Sequence, residues 1–336
     1  MSKHRYLHHL EKFASSVLKA EKSFKKNPKI HPGILLYQLD GRTPFFQLQG
    51  LARIDNASGK HQKYSEKWFL EFKNIEDAFG KMDFWLAALD SNKKWKFNAE
   101  LTGFMQQQAW IQLGVLESRL EEYGWVVRTS TGFEFSIAPM ERFKSEFKKC
   151  DWYTPKKEKK KIIKFLINEA EEIEEKLASK EIDLNLVEEG IHEFRRKLRW
   201  LGIYSSALNG KVYIDKHNNS MPLDSFVTPQ NKSLGFNKLP VNKEESDLIG
   251  FLPGGFYAMS DLIKSIGDIK DPALYSEEMM RLGAMHLVPA KEIKKRLGMD
   301  FMNHHDAVSQ AKDLIEKFVF EHKLIHHISE HFKKQI

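Results

Sequence analysis

Apolar side chains recur at helical spacing along most of the chain, between positions rich in Lys and Glu. One apolar stripe runs through residues 162–177, and another runs through residues 314–328. Residues three and four positions apart share a helix face, so both stretches are predicted to be amphipathic helices. Further helices are predicted at about 5–26, 43–57, 62–90, 97–122, 139–150, 184–208, 255–267, 277–284 and 289–298. The pattern predicts an all-α protein of long packed helices.

Two segments depart from helical periodicity. Residues 125–137 contain two short apolar runs with alternating polar positions on either side of a Ser-Thr-Gly turn, which predicts a small β-hairpin. Residues 209–254 are rich in Asn, Pro, Lys and Gly and are predicted to form a long loop. A Lys-rich run at 156–161 is predicted to start the helix that joins two halves, residues 1–150 and 151–336.

Composition narrows the class of protein. The chain has 336 residues, a net charge of +7, 41% apolar residues and one cysteine, Cys150. Such a chain buries a substantial core, which excludes a wholly disordered or collagen-like protein. A single cysteine excludes an intrachain disulfide and a zinc site with several thiolates. No apolar run of signal-peptide or membrane-span length is present, so a cytoplasmic protein without a membrane partner is predicted.

The distribution of arginine is more informative than the net charge. Only 11 of the 53 basic residues are Arg, and three of these are Arg195, Arg196 and Arg199. On a helix, His192, Arg195 and Arg199 form a strip beside an apolar face, with Arg196 slightly further out. Cations held together in a partly desolvated groove need an anion between them. Acidic side chains of a neighbouring helix and a bound ligand both meet that need, and spacing leaves the two alternatives open.

The strip resembles the signature of CHAD domains, the conserved histidine α-helical domains. His192, Arg195 and Arg199 match its His-x-x-Arg motif and the Arg that follows, although Trp200 stands where the family often has another basic residue. Residues 262–271 are similar to the family's second signature, Leu-Gly-x-x-Arg-Asp, with Lys270 in place of its Arg. The resemblance covers about residues 30–330.

A faint internal repeat accompanies the resemblance. Phe46, Gln49 and Arg53 have the spacing of the His192 motif, and residues 79–83 are comparable with 266–270. The first half is therefore interpreted as a degenerate copy, in which Phe and Gln replace the expected His and Arg. CHAD domains contain two similar antiparallel four-helix bundles, and the resemblance implies this pseudo-duplicated architecture, with the hairpin at 125–137 as an insertion.

The resemblance also implies a function without catalysis or a cofactor. CHAD domains bind inorganic polyphosphate through basic residues that line a central groove. Fixed Lys and Arg release the counterions condensed on such a polymer, which makes binding strongly dependent on salt. The predicted binding residues are His192, Arg195, Arg196, Arg199, Lys270 and Arg53.

Two alternatives come from other classes of binding protein. Residues 104–137 resemble a recognition helix followed by a wing, on which Arg128 could contact the phosphates of a nucleic acid. The net acidic charge of that helix argues against approach to DNA. The second alternative is a helical scaffold whose basic face docks an acidic protein.

Candidate sites for catalysis or metals are weaker. No Walker loop or Gly-x-Ser-x-Gly elbow is present, and Cys150 follows two Lys residues that could lower its pKa. Glu189 and His192 form a single Glu-x-x-His motif, whereas di-iron bundles need two. Two His pairs with metal-ligand spacing, His322/His326 and His327/His331, are predicted on one C-terminal helix, but they face different directions. No enzyme activity or metal site is predicted.

Overall fold

The computed structural model describes residues 2–59, 61–130, 132–215, 223–243 and 245–336. The chain forms two compact units: unit 1 ends at Tyr153 and unit 2 begins at Thr154. Both units are mostly helical, which confirms the predicted all-α class. None of the helices within the described ranges is long and apolar enough to cross a membrane.

Unit 1 is organised around a long helix, α4, which packs against α3 and α5. The aromatic side chains of Phe45, Trp68, Phe72 and Trp125 are fully buried and fill its core. In chain order, unit 1 contains α1 (Lys3–Lys26), α2 (Pro32–Gln38), α3 (Arg42–Ser58), α4 (Gln62–Trp95), α5 (Ala99–Glu122), β1 (Val126–Thr129), β2 (Gly132–Phe135) and α6 (Ala138–Lys148).

Strands β1 and β2 form the predicted hairpin. They pair antiparallel, with Val126 opposite Phe135 and Thr129 opposite Gly132. Strand β2 packs on α1, where the rings of Phe24 and Phe135 lie 5.7 Å apart between centroids. Apolar and polar positions alternate in 125–137 because one face of the hairpin packs on a helix.

Unit 2 is organised around another long helix, α10, which contacts α8, α11, α12 and α13. Helix α7 packs against α8 and α13. In chain order, unit 2 contains α7 (Pro155–Ala178), a π-helical turn (Val187–His192), α8 (Glu193–Ala207), β3 (Val212–Ile214), a 3₁₀ turn (Asp224–Phe226), α9 (Pro229–Ser233), a 3₁₀ turn (Gly235–Asn237), β4 (Ile249–Phe251), α10 (Pro253–Met285), α11 (Ala290–Leu297), a 3₁₀ turn (Gly298–Asp300), α12 (His304–Ile315), a second π-helical turn (Glu316–Glu321) and α13 (Leu324–Lys333).

The segment predicted as a long loop, 209–254, contains short regular elements. Strands β3 and β4 pair in parallel, with Val212 opposite Ile249. The fully buried Lys211 fixes the same region, because its Nζ donates to the Ser246 carbonyl at 2.6 Å and pairs with Glu245 at 3.1 Å. Residues 216–222 and 244 of this segment lie outside the described residues.

Two predicted helices, 255–267 and 277–284, are one continuous helix, α10. The prediction of a break was wrong, since Pro272 lies inside the helix. Proline removes one backbone donor and normally disfavours a helix interior. Here Ile269 and Ala273 are both buried on either side of it, and their packing offsets that cost.

Candidate functional site: the cationic cluster of α8 and α10

Helix α8 has the apolar face that its sequence predicts. Ile191, Phe194, Leu198 and Leu201 are all buried. The π-helical turn before α8 ends at His192, and within it the Ile191 amide donates to the Leu186 carbonyl at 2.9 Å. Burial of this face directs the neighbouring strip of His192 and the arginines along the side of α8 that flanks the core.

Arg195 lies against the backbone of α10, beside a glycine. Its Nε donates to the Ile263 carbonyl at 2.8 Å. A Cβ placed on Gly267, one helical turn further on, would lie 2.9 Å from Arg195 Nη2. We call Arg195, Ile263 and Gly267 the unit 2 seat. The absent side chain of Gly267 lets the guanidinium approach α10 closely.

Arg195 is partly removed from water but has no carboxylate as a direct partner among the described residues. Burial lowers the pKa of Arg195, whereas the charges of Asp271 and Asp268 raise it. Among the described residues, no carboxylate lies within ion-pairing distance of Arg195, and its two Nη atoms have no acceptor. A half-buried cation with one carbonyl partner keeps an unused capacity for an anion.

His192 is held neutral beside this cation. Burial is the main cause that lowers the pKa of His192, and together with the charges of Lys270, Arg195 and Arg196 it brings that pKa to about 4, against a smaller opposing effect of Asp271. Its Nδ1 is buried and has no hydrogen-bond partner among the described residues. Since these cations disfavour a proton on the ring, an anion beside them would favour one.

The other predicted cations differ in how they are neutralised. Arg196 pairs with Glu193 at 2.5 Å, one turn earlier on the same helix surface. Lys270 is almost completely buried, with 6% of its side chain exposed, and pairs with Asp271. Arg199 is exposed on α8, one turn beyond Arg195. The structure thus brings His192, Arg195, Arg196 and Lys270 into one electrostatic cluster. Arg196 and Lys270 are in internal ion pairs, whereas Arg195 lies in the unit 2 seat.

Arg53, the remaining predicted residue, belongs to unit 1. It lies on α3, where its guanidinium carbon is 5.4 Å from the centroid of the Phe69 ring. Its contribution to a basic groove stays a prediction.

Sequence analysis missed a second seated arginine, in unit 1. Arg42 begins α3, and a Cβ placed on Gly80 of α4 would overlap its Nη2 atom. The sequence repeat places Gln49 opposite Gly80, whereas the structure places Arg42 there. The signal available in the sequence was the pair of acidic residues around Gly80, because acidic residues on one helix face call for a cation. We call Arg42, Glu76, Gly80 and Asp83 the unit 1 seat.

The unit 1 seat is neutralised by carboxylates. Arg42 Nε and Nη2 both lie 2.9 Å from Glu76 Oε1, and Nη1 donates to Asp83 Oδ2 at 3.0 Å. The Tyr37 hydroxyl donates to the other oxygen of Asp83. Each nitrogen of the Arg42 guanidinium therefore lies within 3.0 Å of a carboxylate oxygen.

The alternative sites are less favourable in the structure. Burial, followed by the charges of Asp55 and Glu146, raises the pKa of Cys150 to about 11, opposite to the shift that its Lys neighbours suggested. A protonated thiol is a poor nucleophile at neutral pH. Arg128 of the hairpin already pairs with Glu121 at 2.9 Å, which engages the group expected on a nucleic-acid wing.

The C-terminal histidines do not lie on one helix. Lys323, in a left-handed backbone conformation with φ of 49°, separates His322 from α13, which carries His326, His327 and His331. Within the described part of the chain, no group of three or more His, Cys, Asp or Glu side chains could hold a metal ion.

Comparison with known proteins gives no relative. No family model, no curated protein and no solved structure matches the chain.

Proposed function

We propose that unit 2 binds inorganic polyphosphate or a related polyanion, without catalysis, through the cationic cluster of His192, Arg195, Arg196, Arg199 and Lys270. The observation that carries the proposal is the unit 2 seat. Arg195 is half-buried and has only the Ile263 carbonyl as a partner among the described residues. An oxyanion that meets its Nη atoms would supply the missing acceptors.

The neighbouring groups favour a phosphate chain over a single carboxylate. Arg196 and Lys270 surround His192 together with Arg195, and all three lower its pKa. A polymer with one negative charge on each phosphate can satisfy several of these cations at once and release its condensed counterions. Arg199, exposed one turn along α8, extends the same strip.

The proposal includes a pseudo-duplicated architecture. In each unit an arginine near the start of a shorter helix lies on a glycine of a long helix: Arg42 on Gly80 and Arg195 on Gly267. In each unit the Nε atom donates to an acceptor four residues before that glycine. We infer that the chain is a divergent relative of the CHAD family and, because its single cysteine can form no intrachain disulfide, that it works in the cytoplasm.

A salt-dependent titration tests the function. Long-chain polyphosphate is titrated into the wild type, Arg195→Ala and Arg281→Ala at about 50–300 mM salt. Arg281 is a matched control, because it is exposed and already paired with Glu278 at 2.6 Å. We expect micromolar binding at low salt, a loss of about 10–30-fold in Arg195→Ala, and a loss below about 2-fold in the control.

Two outcomes would contradict the proposal: no binding by the folded wild type at low salt, or equal binding by the wild type and Arg195→Ala. Duplex and single-stranded DNA serve as competitors. If DNA displaces polyphosphate and Arg128→Ala weakens DNA binding most, the nucleic-acid alternative is correct.

A further inference from the structure

The two seats differ at equivalent positions. Four residues before the seat glycine, unit 1 has Glu76 and unit 2 has Ile263, whose backbone carbonyl accepts from Arg195 instead. Three residues after the glycine, unit 1 has Asp83 and unit 2 has Lys270. One seat is therefore lined by two acidic side chains, and the other by an apolar side chain and a cation.

We propose that the unit 1 seat is an oxyanion site closed by its own carboxylates, and that the residues at these two positions decide which unit binds phosphate-type anions. This inference rests on the proposed function for the role of the open seat in unit 2. It adds a second, latent site in unit 1 and assigns specificity to Glu76 and Asp83.

Glu76 acts as an internal anion in this seat. Its side chain is only 7% exposed, and one of its oxygens lies 2.9 Å from both Nε and Nη2 of Arg42. A carboxylate oxygen that accepts from Nε of a guanidinium and lies close to Nη2 stands where a phosphate oxygen would bind. An external oxyanion cannot take that place while the carboxylate is charged and fixed.

Asp83 closes the remaining edge of the guanidinium. It accepts from Arg42 Nη1 at 3.0 Å, and the Tyr37 hydroxyl donates to its other oxygen. The hydroxyl of Tyr37 thus holds the carboxylate in position. With two carboxylates around one guanidinium, the seat has a net negative charge and repels a further anion.

In unit 2 the same two positions favour an anion. Ile263 contributes only its backbone carbonyl to Arg195, and Lys270, which itself pairs with Asp271, stands in place of the acidic Asp83. The position filled by the Asp83 carboxylate in unit 1 is where we place the bound oxyanion in unit 2, between Arg195 Nη and Lys270.

The test opens the closed seat in a protein whose open seat has been removed. Glu76→Gln and Asp83→Asn are introduced into Arg195→Ala, and binding of long-chain polyphosphate is measured by calorimetry at low salt. We expect these substitutions to restore binding to within about 3-fold of the wild type, and the further substitution Arg42→Ala to abolish the restored binding.

A charge-matched control separates the seat from the general effect of net charge. Asp90→Asn with Glu141→Gln removes two exposed carboxylates of unit 1, each already paired with a lysine. In the Arg195→Ala background, we expect this control to restore less than about a tenth of the affinity that opening the seat restores.

The outcomes distinguish this inference from the proposed function. If the wild type binds and Arg195→Ala binds more weakly as expected, but opening the unit 1 seat restores nothing, the inference alone fails. If the wild type does not bind, the proposed function fails, and a gain above the wild type in Glu76→Gln/Asp83→Asn still tests the inference. If the double substitution prevents folding, as judged by circular dichroism, Asp83→Asn alone must give a smaller gain, and no gain would overturn the inference.

Discussion

Arg42 and Arg195 lie in the same kind of seat but differ in the groups that neutralise them. Each guanidinium lies on a long helix where glycine leaves room for it. Arg42 meets two carboxylates and ties α3 to α4, whereas Arg195 meets a single carbonyl and keeps its charge available. In unit 1 the protein supplies the anion for this arginine, which stabilises the fold. We propose that in unit 2 the anion comes from solution, so that the same geometry binds a ligand.

The surroundings of the two arginines differ in the same direction. Three residues before the arginine, unit 2 has His192 and unit 1 has Leu39; four residues after it, unit 2 has Arg199 and unit 1 has Phe46. The Arg42 guanidinium carbon lies 4.9 Å from the centroid of the Phe46 ring. Apolar side chains thus replace the polar strip in unit 1, which leaves Arg42 fully committed to contacts inside the protein.

The largest expected difference concerns stability. Arg42→Ala leaves the nearly buried Glu76 beside Asp83 without their shared cation, so we expect a loss of about 3 kcal/mol in the free energy of unfolding. Arg195→Ala loses one hydrogen bond to a carbonyl and relieves repulsion among cations, so we expect a loss of about 1 kcal/mol or less. Urea denaturation at pH 7 measures both, and equal losses would show that the two seats do not differ.

Reversal of the charge of Lys270 should convert the open seat toward the closed one. In Lys270→Asp, the new carboxylate stands at the position that Asp83 has in unit 1 and can pair with Arg195. We expect polyphosphate binding to weaken about 30-fold, or about 2 kcal/mol, in a calorimetric titration.

Two further variants control for burial and net charge. Lys270→Met keeps most of the buried volume without the charge and should give an intermediate loss. Lys264→Asp reverses an exposed charge of the same helix, one that pairs with Asp268, and should change affinity less than about 3-fold. Equal effects of Lys270→Asp and Lys264→Asp would contradict a seat-specific role.

The two seats should contribute differently to the pH dependence of stability, because only the unit 2 seat has a histidine three residues before its arginine. The pKa of His192 in the folded protein is about 4, below its ordinary value of 6.5. The unfolded chain therefore takes up the proton first, and the contribution of His192 to stability, complete above pH 6.5, is lost as pH falls toward 4. We expect a loss of about 1–2 kcal/mol between pH 7 and pH 5 that is absent in His192→Gln.

The affinity for polyphosphate should change with pH in the opposite direction to the stability. A bound anion opposes the charges of Lys270, Arg195 and Arg196 and raises the pKa of His192, so affinity should increase as pH falls through the same range. Asp271 and Glu188, whose Oε1 lies 4.0 Å from His192 Nε2, also face the ring and favour its charged form. Identical pH profiles of affinity in the wild type and His192→Gln would exclude this linkage.

The smallest expected effect concerns Glu188. Its pKa is raised by burial, against the opposing charge of Lys270, so its carboxylate is part of the cluster. Glu188→Gln removes a negative charge near the bound anion, and we expect an affinity about 2–3-fold tighter. Glu181→Gln, which removes an exposed partner of Lys176, is the control and should leave the affinity unchanged.

Local periodicity was sufficient to predict much of this fold. The buried face of α8 and the hairpin follow from apolar positions within one element, because a repeat of 3.6 or 2 residues specifies which side is buried. Continuity through Pro272 was not predictable in this way. It depends on partners that α10 finds far along the chain, in α8, α12 and α13.

The site was predictable only in part for the same reason. Sequence spacing placed His192 and the arginines on one strip, and the pair of Arg196 with Glu193 follows the ordinary rule for residues three apart. The seat of Arg195 on Gly267 joins two helices, and that of Arg42 on Gly80 does so too. No local period encodes such contacts, so the sequence repeat pairs Arg195 with Gln49, whereas the structure pairs it with Arg42.

Anomalous diffraction from crystals soaked in selenate would test the difference between the seats most directly. Selenate is a tetrahedral oxyanion like a phosphate group, and the anomalous signal of selenium locates it. We expect one anomalous peak between Arg195 Nη and Lys270, and none beside Arg42, where Glu76 and Asp83 occupy the guanidinium. A peak beside Arg42, or an Arg195 seat without selenate, would contradict the assignment of Arg195 as the anion-binding arginine.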